Sequence, residues 1–539
     1  MKLAFAAEKM KVPAMALGSL LVALYLWGSN LRARWGIIDD HEIMKFLGPD
    51  GRLAAHDFWQ VLLGTEFALP GTSLRYRPAY YLLRVCETFV WGDSPVRWYA
   101  CRVVLFALSV MILWWLAERC AGFIAGLLFT LYVCTFPWWA DIWAKLGPAE
   151  TYAVFGTALY AAGFVLVLES TRQEGPATSS PFSPWLLMLV GAFVAMGSKE
   201  NLLFLLLPVV ALLFILWKKG RADKTAVAVS ALMCGYGIFI AAAVATALGK
   251  AQKDIYANSV KPIGRLELLY YGMVKALGNG YVLGGLLTVA VIAAWVLVCL
   301  HNRNDRGAIR RCYRSLATYL CLSAALLLVY ASQFAFYNGQ WPAGMRYDFP
   351  GGLCGPVLMF ATAMLISEMA RLLFASTAWR AGVLVVFSLV LGGLIVFQGF
   401  EPLRAASHQN AEQTRTFTSG VSSLAQKLRN DPAANLVFIS FRARDHEPIG
   451  SLSIFLRTFG VKNRFVLYLY QRPQYTQSKL DKDLAADLLA LSRWGSKGGW
   501  LYSGFSPLNT LDKSHGCYRI SFSASGVDVP DCVNLGQVW

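Results

Sequence analysis

Charge is what this chain has least of. Charged residues make up 15% of its 539 residues, where soluble domains carry about 25%. That shortage excludes an ordinary water-soluble domain over most of the length. Acid is scarcer than base: 32 Asp and Glu stand against 49 Lys and Arg, a formal net charge of +17. Such an excess can mark a nucleic-acid partner, but no basic stretch is interleaved with aromatics in the way a nucleic-acid groove requires. The short alternating segments of a membrane β-barrel do not fit the long apolar runs either. Of 11 cysteines, nine lie in or near apolar segments without metal-ligand spacing and read as small buried residues. There is no internal repeat, no long low-complexity linker, and no clear small-residue cleavage site after the first apolar run, which therefore reads as a retained helix.

What is present is apolar. Hydrophobic residues make up 56% of the chain and mean hydropathy is +0.47. Several runs reach the roughly 20 residues that cross a bilayer as a helix. The expected spans are 12–31, 95–117, 120–137, 150–169, 184–198, 201–217, 225–247, 281–300, 315–335, 351–370 and 381–399. The fold class is a polytopic α-helical membrane protein of about eleven transmembrane helices. Lys2, Lys9 and Lys11, then Lys218, Lys219, Arg221 and Lys224, then Arg303, Arg306, Arg310, Arg311 and Arg314 fall on one side of that topology. Basic loops mark the cytoplasmic side and neutralise the nucleic-acid reading of the charge. Arg32 and Arg34 oppose this assignment but are outnumbered. The N-terminus is then cytoplasmic and the C-terminal region extracytoplasmic.

Parity turns on 184–217, too long for one span and short for two. About 15 residues per leg cover roughly 22 Å, against a hydrocarbon core of about 30 Å. Only a hairpin keeps Lys218–Lys224 on the basic side. Its tip, Ser198-Lys199-Glu200-Asn201, is expected below the outer headgroups. There Lys199 and Glu200 either pair or snorkel, or Lys199 meets a lipid phosphate.

Two units follow from composition: a membrane unit, 1–400, and a more polar unit, 401–539. The first outer loop, 35–94, contains HEIMKFLG and AHDFWQVLLGTEF, suited to helices lying in the interface. Further outer segments are 137–152, 253–272 and 338–352. In the tail, 435–441, 463–470 and GCYRISFS read as strands and 451–460 and 481–495 as helices, which makes a small α/β unit. Cys517 and Cys532 are spaced for a disulfide in an oxidising compartment.

The chemistry gathers on the outer side, beginning with Asp39, Asp40, His41 and Glu42 in WGIIDDHEIMKFLG. Arg75, Arg77, Asp141, Lys145, Glu150, Lys199, Glu200, Arg346 and Asp348 share that face. Moving a group from a lipid-linked phosphate needs a carboxylate to take the acceptor's proton. It also needs cations or a metal against the leaving phosphate, a task to which the guanidinium fork is suited. Plainer readings stand beside this one. The Asp pair can cap the next helix, RYRP can anchor at the interface, Glu150 can start a helix, and Arg346 can pair with Asp348 in a turn.

Taken together, the acidic pair after the first helix, the interfacial loop, the acid-bearing connection at 137–152, the Lys-Glu hairpin tip and the polar tail resemble the GT-C superfamily of membrane glycosyltransferases. Within it the layout is similar to protein O-mannosyltransferases, aminoarabinose transferases and arabinofuranosyltransferases. The resemblance covers about 12–400 and rests on layout, with DDHE its most specific element. It implies a polyprenyl-phosphate-linked sugar donor, a glycan, lipid or protein acceptor, and usually inversion at the anomeric carbon. Asp39 aligns with the first acid of the mannosyltransferases' Asp-Glu pair and is the leading base, with Asp40 next. Lys199, Arg77 and Arg346 would hold the donor phosphate, and Glu150, Glu200, Arg75 and Asp348 would contact acceptor or donor. Asp40, His41 and Glu42 offer a site for a divalent cation, Mg²⁺, Mn²⁺ or Zn²⁺. Trp494, Trp500 and Tyr502 read as packing residues of the tail or as a sugar-stacking surface. The rivals are a transporter or flippase of lipid-linked sugars, a glycan polymerase or ligase, and a sensor. A transporter would place its charges at mid-membrane and show repeats.

Overall fold

The computed structural model describes residues 2–48, 50–68, 76–170, 182–250, 262–278, 281–301, 306–336, 345–374, 377–440, 446–469, 506–507, 515–521 and 532–535. Arg75, the expected helix at 481–495, Trp494, Trp500 and Tyr502 lie outside these residues. The chain begins as α1 (Lys2–Trp27), which ends in a 3-10 turn (Gly28–Arg32). The first loop contains α2 (His41–Met44), α3 (Phe58–Leu63) and α4 (Pro78–Trp91). Pro78 occupies the first turn of α4 and Pro95 that of the next helix, where a missing N–H costs nothing.

The bundle continues through α5 (Pro95–Ala121), α6 (Phe123–Cys134), α7 (Trp138–Trp143), α8 (Glu150–Ser170), α9 (Phe182–Met196) and α10 (Leu206–Lys218), with a 3-10 turn (Glu200–Leu205) leading into α10. It closes with α11 (Lys224–Lys250), α12 (Pro262–Gly278), α13 (Tyr281–His301), α14 (Arg306–Phe336), α15 (Cys354–Phe374) and α16 (Thr377–Gln398). Each expected span falls on a helix. Among the described residues eight helices are long and apolar enough to cross a membrane, and the shorter apolar helices are Phe123–Cys134, Phe182–Met196 and Ala290–His301. The described residues thus do not confirm the count of eleven full spans. The segment 184–217 is a helical hairpin, as its length required, with Ser198, Lys199 and Glu200 buried at the tip. One expectation fails: much of 253–272, read as an outer loop, belongs to α12, whose Gly272 sits against Ala331 and Phe334 of α14.

Small residues set the closest helix pair. A Cβ built on Gly191 of α9 would lie 2.2 Å from the Tyr160 backbone nitrogen of α8, and one on Gly163 would lie 2.5 Å from that of Met188. Backbones approach this closely only where the side chain is absent, the usual device for packing helices in lipid.

After α16 the chain turns polar. Helix α17 (Glu401–Asn430) buries Leu403, Ser407, Ala411, Thr414, Phe417, Val421, Leu424 and Leu428, the three-four spacing of an amphipathic helix. At 1.5 Å per residue it extends about 45 Å. It leads to β1 (Asn435–Ser440), α18 (His446–Thr458), β2 (Phe465–Leu469), β3 (Ser506–Pro507), β4 (Cys517–Ser521) and β5 (Cys532–Asn534). The strands form one parallel sheet in the order β3-β2-β1-β4-β5. Cys517 and Cys532, directly paired in that sheet, form a disulfide. The tail is an α/β unit, as its alternating elements indicated.

This tail grips the first loop. The Thr414 hydroxyl accepts from the Arg34 N–H at 3.0 Å and the Thr418 hydroxyl donates to the Trp35 carbonyl at 3.2 Å. Asn410 donates to Asn30 and to Tyr99, both at 3.1 Å, and Ser451 of α18 donates to the Ile37 carbonyl. Residues 30–37 are therefore strung along α17 and α18, and the acidic turn begins where that support ends.

Candidate active site

The two acids of the DD pair face different surroundings. Asp40 is 2% exposed, and its Oδ2 accepts the Gly36 N–H at 2.7 Å. Its carboxylate makes no capping bond to α2, although it stands at the N-cap position. Asp39 has φ +70°, a left-handed conformation uncommon outside glycine that Asp tolerates better than most residues. Its side chain is 25% exposed and meets Nη1 of Arg346 at 3.1 Å. The open carboxylate is thus Asp39, and Asp40 is a buried brace of the turn that carries it.

Burial, reinforced by the Asp39 charge, pushes the Asp40 carboxyl up to about 7, against the Gly36 N–H, Arg84 and Arg102. The unfolded group ionises near 3.8. Between those values the native state holds a proton that the unfolded chain has lost, so this group's contribution to stability falls as pH rises. A shift of about three pH units costs at most roughly 4 kcal/mol. Asp40→Asn keeps an acceptor for Gly36 and removes that cost. Its thermal midpoint is expected to exceed the parent's at pH 8, and the gain to shrink at pH 5. A gain that grows on acidification would contradict the assignment.

The wall facing Asp39 is the turn between α7 and α8. A Cβ built on Gly147 would lie 1.9 Å from the Asp39 Cβ and 2.5 Å from its Oδ2. The aspartate rests directly on that glycine, and any larger residue must displace it. Gly147→Ala is expected to lower turnover on the order of 10²-fold, the effect of moving a reacting group by about an ångström. Steady-state rates beside an unchanged circular-dichroism spectrum check this. Three residues further on, Glu150 opens α8 and forms a buried ion pair with Lys199 of the hairpin tip.

Arg346 lies on a 3-10 turn (Arg346–Asp348) just before α15, with Asp348 buried beside it. Its backbone N–H reaches Asp141 at 3.4 Å, and Asp141 also accepts from Lys145 at 2.8 Å. Burial opposes the Arg346 charge, but Glu150 and Asp39 outweigh it and hold the guanidinium protonated. Tyr347 presents its ring to both cations, 5.3 Å from the Arg346 guanidinium and 5.2 Å from the Lys199 ammonium. Asp39, Glu150, Lys199 and Arg346 therefore meet at one end of the bundle.

Other expected residues are placed differently. Arg77 pairs with Glu66 at 3.4 Å and stacks over Tyr80 at 5.1 Å. Glu200 turns back to accept the Tyr76 N–H at 3.0 Å, which makes it a brace for the entry to α4. Asp40, His41 and Glu42 do not assemble a cation site. Asp40 faces Gly36, while Glu42 faces Lys45 at 4.0 Å and the Tyr80 hydroxyl at 3.3 Å. Successive residues at a helix start point apart, and among the described residues no group of three His, Cys, Asp or Glu could hold a metal ion. Burial lowers His41 to about 4, so it is neutral. Burial raises Glu42, but Lys45, His41, Arg84 and Arg77 together bring it down to about 2, so it is ionised.

Several site-forming residues were not anticipated. Arg84 and Tyr80 of α4 hold the turn at 146–147, and Arg102 forms a two-pronged pair with Glu87 at 3.1 and 2.7 Å. An arginine inside an expected span, as Arg102 is, was the signal available, because a charge there needs a partner.

No protein-family model matches the chain, and no curated protein matches it. Two solved structures are similar in fold, both of ArnT from Cupriavidus metallidurans, one bound to undecaprenyl phosphate and one in the apo state. The first is 13% identical, with 88% of this chain and 87% of that one covered and a TM-score of 0.41. The second is 13% identical, with 90% and 88% covered and a TM-score of 0.35. Likeness at that level assigns no residue of this chain a role.

Proposed function

We propose that this protein is a membrane glycosyltransferase that moves a sugar from a polyprenyl-phosphate donor to a hydroxyl-bearing glycan, lipid or protein. The observation that carries the reading is the open Asp39 carboxylate held against Arg346, with Lys199 and Glu150 beside them, at one end of a bundle of membrane-length helices. A proton acceptor and a group for a phosphate are the two things this transfer needs in one place.

Asp39 takes the proton of the acceptor hydroxyl as that oxygen bonds to the anomeric carbon. The bond from that carbon to the phosphate oxygen breaks, and its electron pair leaves with the polyprenyl phosphate, whose charge Arg346 meets. A single displacement of this kind inverts the anomeric carbon. At rest four cations of the face, all among the described residues, each hold a carboxylate: Arg346 with Asp39, Lys199 with Glu150, Arg77 with Glu66, Lys145 with Asp141. An anionic donor competes with Asp39 for Arg346 and so frees the base once the phosphate is seated. Donor therefore binds before acceptor. The basic loops support a reading in which the N-terminus is cytoplasmic and this site and the α/β tail face the extracytoplasmic side of a bacterial inner membrane.

The deciding experiment uses the purified full-length protein in lipid nanodiscs with polyprenyl-phosphate-linked sugars and an envelope extract as acceptor. Release of polyprenyl phosphate that depends on the extract is expected. Transfer from a nucleotide sugar, with the lipid-linked donors inert, would overturn the reading.

A further inference from the structure

We propose that Tyr80 and Arg84 are positioning residues that hold the seat of Asp39 by gripping two consecutive backbone carbonyls. This inference rests on the reading of Asp39 as the base. Arg84 lies on α4 and is fully buried, at 0% exposure. Its Nη1 donates to the Leu146 carbonyl at 2.8 Å and its Nη2 to the Tyr80 hydroxyl at 3.0 Å. That hydroxyl in turn lies 3.0 Å from the Gly147 carbonyl and 3.3 Å from Glu42. One turn of α4 thus clamps both carbonyls of the turn on which Asp39 rests.

A buried guanidinium is costly unless paired. Its neighbour Arg102 has a carboxylate, both oxygens of Glu87, besides the Tyr152 hydroxyl at 2.8 Å. Arg84 instead directs its fork to a carbonyl and a phenol and lies over the rings of Tyr80 at 5.3 Å and Trp98 at 5.6 Å. A charge spent on neutral oxygens fixes geometry, because the fork has one orientation in which both bonds form. Neither the Leu146 nor the Gly147 carbonyl accepts a backbone hydrogen bond among the described residues, so these side chains supply what secondary structure does not. The contact of Gly147 with Asp39 carries the position of that turn to the carboxylate. The same turn leads to Glu150, the partner of Lys199.

The test measures kcat, donor KM and thermal midpoint for Tyr80→Phe, Arg84→Gln and Arg84→Lys, alone and combined with Asp39→Asn. Arg84→Gln is expected to lower kcat about 30- to 100-fold with donor KM held within about threefold, as misplacement of a reacting group predicts. Tyr80→Phe should lose about 5- to 10-fold, and Arg84→Lys should fall between Arg84→Gln and the parent, because an ammonium lacks the planar fork. In the Asp39→Asn background neither change should cost more than about twofold, since residues acting as one unit are not additive. A merely structural role would lower the midpoint and multiply with Asp39→Asn. If Arg84→Gln does not fold, Tyr80→Phe decides, because it removes a single oxygen. Parent-like kcat in the folded variants, or fully multiplicative losses, overturns the proposal while the base reading stands. Full activity in Asp39→Asn alone overturns both.

Discussion

Asp39→Asn is expected to lower kcat for sugar transfer by about 10²- to 10⁴-fold, the usual contribution of a positioned general base. The amide is nearly the same size, and its oxygen can still accept from Arg346. The left-handed backbone is also kept, since Asn tolerates it as Asp does. The loss therefore reports proton transfer and not collapse of the turn. Donor affinity is expected not to fall and to rise by up to about fivefold, because a neutral amide competes with the donor phosphate for Arg346 less than the carboxylate does. Asp40→Asn is the internal comparison: buried on the Gly36 N–H, it should keep kcat within about threefold. Single-turnover transfer and direct donor-binding measurements on both variants separate the two acids. Parent-like turnover in Asp39→Asn, or a collapse confined to Asp40→Asn, would remove Asp39 from the mechanism.

That division between neighbours could not be read from DDHE. Composition and run length were enough for the helical bundle, the hairpin at 184–217 and the three longer strands of the tail, β1, β2 and β4, because each depends on local hydrophobic pattern; the short β3 and β5 carry too few residues to show one. Which of two adjacent acids stays partly exposed depends on one backbone torsion and on a glycine far along the chain. Asp39 and Arg346 are 307 residues apart, and Arg84 and Leu146 are 62 apart. Pattern can place a charge at a helix end without naming its partner. The same limit explains the cation site expected from Asp40, His41 and Glu42. Proximity in sequence suggested a cluster, but a helix start turns successive side chains to different neighbours. It explains Glu200 as well, whose carboxylate at the hairpin tip serves the backbone of Tyr76.

Ion pairing also changes what the charged face means. Counted from the sequence, Arg77, Lys199 and Arg346 looked like ready phosphate ligands. In the structure each has an acid, and the pairs differ in burial. The Lys199 and Glu150 side chains are 8% and 4% exposed, whereas those of Arg346 and Asp39 are 23% and 25% exposed. Breaking a buried pair by losing one partner leaves a charge uncompensated and is far costlier than opening an accessible one. Of these two pairs Arg346–Asp39 is the more readily opened, and on the proposed reading it is the one a donor phosphate exchanges while Lys199–Glu150 stays fixed.

Arg346→Gln is expected to lower kcat by about 10²- to 10³-fold, the range for removing a group that stabilises developing negative charge. It should also weaken donor binding, whereas Asp39→Asn should not. Arg346→Lys should recover part of the binding but less of kcat, because an ammonium supplies charge without two-point geometry. Combination with Asp39→Asn decides between two roles. If Arg346 only orients Asp39, the double variant is no slower than Asp39→Asn alone. If it acts on the leaving phosphate, it works at the opposite end of the breaking bond from the base. The two losses then compound, the double variant falling well below Asp39→Asn, short of the full product by the coupling of a contacting pair. A double variant at least about tenfold slower than Asp39→Asn is the expected result. A double variant as active as Asp39→Asn would make Arg346 a holder of the base and send the search for the phosphate ligand to Lys199 and Arg77.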